Sequence, residues 1–489
     1  MIGAMHPVFR ASLGFATAIL SAAILGAWPA TGAAQDQTPR HPDELTLPPI
    51  EFTPLEAQTA QLPCGIPVIL HPNHDLPILD LTIQFRMGSR YLPAEEHTAC
   101  GLLSSMWRSG GTQQLSPDEL DAVLTGLDVS IHTFVGHRSG GVNVSLATED
   151  LRQALPLWRD VVVAPGFDED RLARAKANRL KRLQDINNDP GAIAEQRFFR
   201  LLMGPEYPTS RFETRDDIEA VGATHLNALH QRFVRPENAL IGVSGDFDPD
   251  DMLALLEQLF ADWPARGSFI EPVAEPWIPA SQPGVYLLRG DYAQSQVRIG
   301  RIIPDLTDRS PDYPAALILS FGLGYERVFY RVRNEGLSYG AAVMLRTAEE
   351  RSTLRGFGSC RGDATLPLIR AMLEETERSA VDPIAGSDLE AARVFRIGGE
   401  VRANETAASI VRQKVSDRMK DRPDDFRANL LAGLKSTTEE DMLRLAQDYV
   451  VRNDPWVLLV LGDPEEFGAP LDSLGLGPVH EIEPVVFGE

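Results

Sequence analysis

Two segments of this chain share one pattern: Asn238-Ala239-Leu240-Ile241-Gly242-Val243-Ser244-Gly245-Asp246 and Trp456-Val457-Leu458-Leu459-Val460-Leu461-Gly462-Asp463. Each is an apolar run that ends in Gly-Asp, as expected for a buried strand. A helical pattern precedes each run, over residues 223–233 and 439–450. Because the two copies lie about 215 to 220 residues apart, they indicate an internal duplication.

Two other pairs of segments keep nearly the same spacing. Long helical patterns open at 167–172 and at 386–390, and strand patterns cover 79–86 and 295–303. The sequence therefore predicts a duplicated α+β domain, with a first half over 55–263 and a second half over 285–489. The Pro-rich stretch between them, 264–284, predicts a stiff linker that holds two lobes apart, with a ligand cleft between the lobes.

Composition limits the class of protein. The chain has 489 residues, of which 43% are hydrophobic, and 46 basic against 69 acidic residues give a formal net charge of −23. Nucleic acid and anionic membrane surfaces are therefore poor partners. Its three cysteines, Cys64, Cys100 and Cys360, show no close pairing. They are expected to be free thiols, although the sequence leaves a single disulfide open.

The N-terminus has the pattern of a secretory signal. Arg10 is followed by an apolar stretch at 11–29 and by small residues at 30–34. We expect a cleaved signal peptide over 1–34, a polar leader over 35–54, and a periplasmic or secreted protein. No other stretch approaches the roughly 20 apolar residues that span a bilayer.

The segment Leu102-Leu103-Ser104-Ser105-Met106 stands between Met87-Gly88-Ser89-Arg90 and Gly110-Gly111-Thr112. These surroundings resemble the zinc-site helix of insulinase/pitrilysin-type peptidases, which carries His-x-x-Glu-His. Here Leu102 and Met106 occupy the two histidine positions, and Ser105 occupies the position of the glutamate base. Leucine has no lone pair, a thioether is a poor zinc ligand beside imidazole, and serine does not titrate near neutrality. The metal site is therefore predicted to be degenerate.

The resemblance extends over residues 54–467 and implies the family's fold. Each half would pack helices on one face of a mostly antiparallel sheet, forming a two-lobed α+β structure. The family's third ligand, a glutamate, corresponds to Arg182, and no glutamate lies between 171 and 184. A guanidinium at that place would repel a dication.

The histidines offer little replacement for the lost ligands. The pairs His132/His137 and His225/His230 lack helical i, i+3 or i+4 spacing and a neighbouring carboxylate. Zinc demands defined ligand geometry, so an active peptidase with a non-standard metal site is the weakest of three hypotheses.

The segment Arg327-Val328-Phe329-Tyr330-Arg331-Val332-Arg333-Asn334-Glu335-Gly336-Leu337-Ser338-Tyr339 resembles the most recognisable motif of the family's second half. There, an arginine and a tyrosine bind the substrate backbone and stabilise the oxyanion. The match assigns these roles to Arg333 and Tyr339. Their spacing is one residue shorter than usual, so Arg331 is an alternative. Residues 321–324 resemble the family's glycine-rich loop but contain only two glycines.

Members of this family often work as two chains, of which only one holds the zinc. The resemblance implies that this chain is the non-catalytic subunit of an exported heterodimeric zinc peptidase. It would bind no cofactor, grip peptide substrates and complete the site of a homologous partner that holds the zinc. On its own it would not be an enzyme. The second hypothesis is a stand-alone pseudo-enzyme that serves as a peptide-binding or envelope scaffold protein.

Overall fold

The computed structural model describes residues 57–207, 210–269, 271–272, 279–451 and 455–488, all within one compact unit. The predicted signal peptide and leader lie outside these residues. None of the described helices combines the length and the apolar character that crossing a bilayer requires. Cys64, Cys100 and Cys360 are free thiols.

Twelve strands in the described ranges form two six-stranded sheets, of order β1-β2-β6-β3-β5-β4 and β12-β7-β11-β8-β10-β9. Most neighbouring pairs are antiparallel, as predicted; β2/β6, β11/β7 and β12/β7 are parallel. The strands are β1 (Gln58–Gln61), β2 (Pro67–Pro72), β3 (Ile78–Arg86), β4 (Ser130–Val135), β5 (Ser139–Ala147), β6 (Ala239–Gly245), β7 (Gly284–Arg289), β8 (Ser295–Ile303), β9 (Ala341–Arg346), β10 (Ser352–Cys360), β11 (Val457–Gly462) and β12 (Val479–Glu481).

Most helices of each half cover one face of the sheet of that half. Two π-helical segments, Gly322–Phe329 and Ala446–Val450, continue α9 and α15 respectively. The α-helices are α1 (His97–Ser109), α2 (Pro117–Gly126), α3 (Leu151–Val163), α4 (Glu169–Ile186), α5 (Pro190–Met203), α6 (Arg215–Ala220), α7 (Ala223–Phe233), α8 (Pro249–Phe260), α9 (Tyr313–Phe321), α10 (Tyr330–Asn334), α11 (Thr365–Arg378), α12 (Gly386–Arg402), α13 (Ala407–Met419), α14 (Phe426–Ser436) and α15 (Glu439–Leu445).

Local sequence explains where the predicted helices begin. Asp168 precedes α4, and its carboxylate accepts a hydrogen bond of 2.8 Å from the Arg171 backbone N–H. Before α15, Thr438 and Asp441 form a reciprocal capping box. Such caps satisfy the free N–H groups of a first turn and stabilise each helix by about 1 kcal/mol.

The duplication is visible in equivalent elements. The starts of α4 and α12, of α5 and α13, and of β3 and β8 are separated by the same number of residues. Each repeated Gly-Asp strand, β6 and β11, is buried along its length and lies next to a long antiparallel neighbour. The two halves therefore have one folding pattern.

Each half sends one helix onto the outer face of the other half's sheet. Helix α5 packs on β8 and β11, and helix α13 packs on β2 and β6. At the second contact, a Cβ built on Gly242 would lie 2.5 Å from Val411 and 2.8 Å from Val415. Because only glycine leaves that space, the strand and the incoming helix approach closely.

The halves are therefore joined rather than held apart, which corrects the expectation of two separated lobes. The described end of the linker adds to this contact, since the Ala280 N–H donates to the Met203 carbonyl at 3.0 Å and the Gln282 N–H to the Leu201 carbonyl at 2.9 Å. Arg86 of β3 also reaches Asp421 of the second half at 2.9 Å and lowers the pKa of that carboxyl. Two further ion pairs between the halves are Arg90–Glu350 and Arg138–Glu349.

Candidate functional site

Helix α1 carries the three positions predicted to be a degenerate zinc site. The acidic 3-10 turn Ala94–Glu96 precedes it, and Gly110 ends it by donating to the Met106 carbonyl at 2.9 Å. Leu102 and Met106 are 1% and 0% exposed and belong to the core of the first half. This face of α1 therefore packs into the hydrophobic core.

No group that suits a zinc ion is presented there. Ser105 is exposed, and its hydroxyl donates to the Leu102 carbonyl at 3.0 Å. Burial raises the pKa of the neighbouring Cys100 thiol to about 12, so this thiol is protonated at neutral pH. The residues at this site do not fit a zinc ion.

A cation lies beside the same helix. The Arg179 guanidinium of α4 would contact a Cβ built on Gly101 at 2.7 Å, and its Nε donates to both carboxylate oxygens of Glu213, at 2.8 and 2.7 Å. The predicted Arg182 is exposed on α4, three residues further along. Sequence reasoning missed Arg179; the signal was Gly101, a mid-helix glycine that leaves room for a long side chain.

Two of the candidate histidines are held as neutral parts of the structure. His230 is 4% exposed and its Nε2 lies 2.8 Å from the Val162 carbonyl, while His137 Nδ1 lies 2.9 Å from the Ser89 hydroxyl. Burial lowers the pKa of each imidazole to about 4. Both rings are therefore uncharged at neutral pH.

The other two histidines also have local partners. His132 Nε2 lies 2.8 Å from the Ser130 hydroxyl, and His225 Nδ1 accepts the Gly222 N–H at 3.0 Å. Across the part of the chain that the structure describes, no group of three or more His, Cys, Asp or Glu side chains is arranged to hold a metal ion.

In the second half, the predicted glycine-rich loop is helical. Phe321 ends α9, and Gly322 and Gly324 lie inside the π-helical segment that runs into α10. A Cβ on Gly322 would lie 2.7 Å from Ile384, and one on Gly324 would lie 3.0 Å from Met344. These glycines allow the helix to pack closely against its neighbours. The spacing of the glycines in the sequence did not reveal this role.

Arg331, the alternative to Arg333, is held by carboxylates. Its guanidinium donates to Glu335 at 2.9 Å, to Glu374 at 2.6 Å and to Glu375 at 3.1 Å. The hydrogen bonds to these carboxylates raise the pKa of the Arg331 side chain, and those to Glu374 and Glu375 tie it to α11. The guanidinium nitrogens of Arg331 therefore already donate to these three carboxylates.

Arg333 and Tyr339 are both open to solvent. Arg333 lies over the Phe329 ring at 5.7 Å and has no ion pair or hydrogen bond with any described side chain. Tyr339 is 90% exposed. Its turn is fixed by Ser338, whose hydroxyl donates to the Ser359 carbonyl at 2.7 Å and accepts from the Gly340 N–H at 3.1 Å. Helix α1 packs into the core of the first half, whereas this pair lies on the surface of the second half.

Comparison with known proteins agrees with this architecture. The family profile described as Peptidase M16 inactive domain matches residues 220–393. An uncharacterized zinc protease of Mycobacterium leprae is 25% identical over 268 residues, which are 53% of this chain and 59% of that protein. The chain thus spans about three fifths of this mycobacterial relative. An uncharacterized zinc protease of Rickettsia bellii is 19% identical over 352 residues, 71% of this chain and 82% of that protein.

Solved structures share the fold. The peptidase M16 inactive domain of Pseudomonas fluorescens aligns with a TM-score of 0.72 at 20% identity, over 85% of this chain and 100% of that one. The periplasmic protease PqqL of Escherichia coli aligns with a TM-score of 0.72 at 14% identity, over 84% of this chain and 46% of that one. The chain is therefore similar to the peptidase M16 inactive domain over residues 220–393 and to zinc proteases over about half of its length or more, and it shares its fold with the solved M16 structures.

Proposed function

We propose that this chain is the non-catalytic subunit of an exported two-chain zinc peptidase, in which a homologous partner holds the zinc. One contrast supports the proposal. Apolar side chains fill the ligand positions at Leu102 and Met106, whereas Arg333 and Tyr339 are exposed and have no ion pair or side-chain hydrogen bond within the described part of the chain. Hydrolysis would then take place on the partner, and this chain would supply binding groups.

Arg333 and Tyr339 have the chemistry for that role. A guanidinium and a phenol both donate hydrogen bonds, and donors aimed at a developing oxyanion lower the barrier to acyl transfer. Because three carboxylates hold Arg331, we assign the trans-acting cation to Arg333. A peptide could also bind along β9, the last strand of its sheet, through main-chain hydrogen bonds that tolerate many sequences.

The edge strand of the first sheet is hydrogen-bonded to a helix. The Val135 N–H of β4 donates to the Ser104 hydroxyl of α1 at 3.1 Å, and the Thr133 hydroxyl donates to the Ser104 carbonyl at 2.8 Å. These bonds fasten α1 to the edge strand where an added strand would start. We therefore place peptide binding on the second sheet.

The test is reconstitution with a homologue that has an intact His-x-x-Glu-His motif. We expect peptide hydrolysis only in the mixture, and a turnover number reduced about 100-fold by Arg333→Ala or Tyr339→Phe, as for the loss of one oxyanion donor. Arg370→Ala, an exposed arginine on α11, is the control. Unchanged turnover in both variants, or full activity of the homologue alone, would contradict the proposal.

A stand-alone peptide-binding protein is the second candidate, since an exposed aromatic surface is present on the second half. It predicts peptide binding by the purified chain and no association with any zinc-motif homologue. Analytical ultracentrifugation of the two chains, separately and mixed, distinguishes the two proposals.

A further inference from the structure

A row of stacked aromatic rings lies on the surface of the second half. Phe395 stacks on Phe321 with ring centroids 4.1 Å apart, Phe321 on Tyr325 at 5.3 Å, and Tyr325 on Phe329 at 4.7 Å. Phe321, Tyr325 and Phe329 follow one another at intervals of four residues, on successive turns of one continuous helical segment. Tyr325 and Phe395 remain 46% and 47% exposed, so the row is not covered by the fold.

The row forms one wall of a groove of about 600 Å³, and β9 and β10 form the other. Ala342 and Met344 are two positions apart on β9 and share a face, to which Phe357 of β10 contributes as the partner of Ala342. Phe357 is 42% exposed. The size and the apolar lining are typical of a site that takes a large apolar side chain.

Two arginines adjoin the groove without an acidic partner among the described residues. Arg396 lines it, donates from Nε to the Leu317 carbonyl at 2.8 Å, and lies 5.9 Å from the Phe395 ring. Burial lowers the pKa of Arg396, and the nearby charge of Arg346 lowers it further. Arg346 ends β9 and is exposed, with its Nη2 3.7 Å from the Met344 sulfur.

The positive charge continues along the same face. Arg346 also lowers the pKa of Arg355, whose buried Nε has no hydrogen-bond partner in the described structure. Glu195 lies 3.7 Å from Arg355, but it also accepts from Arg298 at 2.8 Å. In a chain with a net charge of −23, this face is locally cationic and is complementary to a carboxylate.

We infer that this groove selects substrate segments in which a large apolar side chain stands close to an acidic side chain. The apolar side chain would stack on the aromatic row, the carboxylate would bind Arg346 and Arg396, and the backbone would follow β9. The inference rests on the proposed function, because the ligand is the peptide that the two-chain enzyme would cleave. An aromatic row that extends over several rings suits an internal segment rather than a chain end.

The equivalent face of the first half lacks these properties. Its cavity is only about 200 Å³, and its described lining, which includes Asp80, His132 and Asn143 beside Val144, Val411 and Arg412, contains no Phe, Tyr or Trp ring. The preference for apolar and acidic side chains therefore belongs to the second half.

Fluorescence anisotropy tests the preference with three short, labelled Gly-Ser peptides, of which the first two are C-terminally amidated. The first peptide carries Phe and Glu separated by one Ser, the second replaces Glu with Lys, and the third ends in Phe with a free carboxylate and lacks Glu. We expect the first to bind at least about tenfold more tightly than the second, because a charge-assisted contact reverses sign. Equal binding of the first two peptides, or tighter binding of the third, would overturn the inference.

Variants locate the site on the full-length chain. Arg346→Gln and Phe357→Ser change exposed side chains, and each should weaken the first peptide at least about fivefold. The matched controls Arg370→Gln and Val381→Ser alter exposed residues outside the groove and should bind as the parent does. Unchanged thermal midpoints show that the fold is kept.

Failure of this inference can be told apart from failure of the proposed function. Loss of the peptide preference, with stimulation of the partner through Arg333 and Tyr339 intact, rejects the groove alone. Loss of that stimulation, with groove-dependent peptide binding intact, rejects the two-chain enzyme and favours the stand-alone peptide-binding protein.

Discussion

Single side chains decide that α1 cannot serve as a zinc helix. Its ligand positions are taken by Leu102 and Met106, both buried, and the catalytic-base position by a serine. Arg179 adds a positive charge beside Gly101. By contrast, Arg333 has no ion pair or side-chain hydrogen bond among the described residues, while Arg331, two residues before it, donates to three carboxylates. The two arginines therefore differ in whether their guanidinium groups are available to donate hydrogen bonds to a substrate.

His230 makes stability depend on pH. Its pKa is about 4 in the folded protein and about 6.5 in the unfolded chain, so the unfolded chain takes up the proton first. Stability is therefore lost as the pH falls from 6.5 toward 4, by up to about 1.4 kcal/mol per pH unit from this group. Urea unfolding of His230→Gln at several pH values should show a slope that is smaller by that amount. The exposed His225→Gln is the control, and an unchanged slope in His230→Gln would contradict the prediction.

Among the elements, α1 has ends that the local sequence explains and surroundings that it does not. Its acidic start and glycine stop follow from local rules, and its zinc-site positions could be matched by spacing. The contact between α1 and Arg179 could not be predicted, because Arg179 and Glu213 reach the helix from other parts of the chain. The segment 321–324 failed for a related reason: two glycines suggested a loop, but close packing on Ile384 and Met344 uses them inside a helix.

Restoring the zinc motif in α1 should fail. The variant Leu102→His/Ser105→Glu/Met106→His places two imidazoles in an apolar core beside a guanidinium. We expect the free energy of unfolding to fall by about 3 kcal/mol or more, with no stoichiometric zinc. Urea unfolding and elemental analysis measure both. Ser105→Glu alone, on the exposed side, should change stability by no more than about 0.5 kcal/mol; a triple variant that binds zinc and gains stability would refute the argument.

The exchange of helices ties the two halves into one cooperative structure. Helix α5 buries Phe198 and Leu202 against Leu459 and Leu461 of the second sheet, and α13 buries Val411 and Val415 against the first. Either half alone would expose both a sheet face and a helix face. Such apolar surfaces are large enough to drive association.

Separate expression tests this dependence. We expect residues 55–263 and 285–489, each produced alone, to aggregate or remain unfolded, and the two halves produced together to assemble into a particle the size of the full chain. Size-exclusion chromatography and circular dichroism check this, with the full chain as control. Two monomeric halves that each unfold cooperatively would show that the exchanged helices contribute little.

Much of this protein was predictable because the patterns are local. The duplication, the buried Gly-Asp strands β6 and β11 and the start of α4 at Asp168 follow from periodicity and capping. The tertiary structure alone decided which half covers which sheet, that Arg331 is held and Arg333 is free, and that distant aromatic and arginine side chains form one groove. These features depend on contacts between residues far apart in the chain, and no local pattern encodes such contacts.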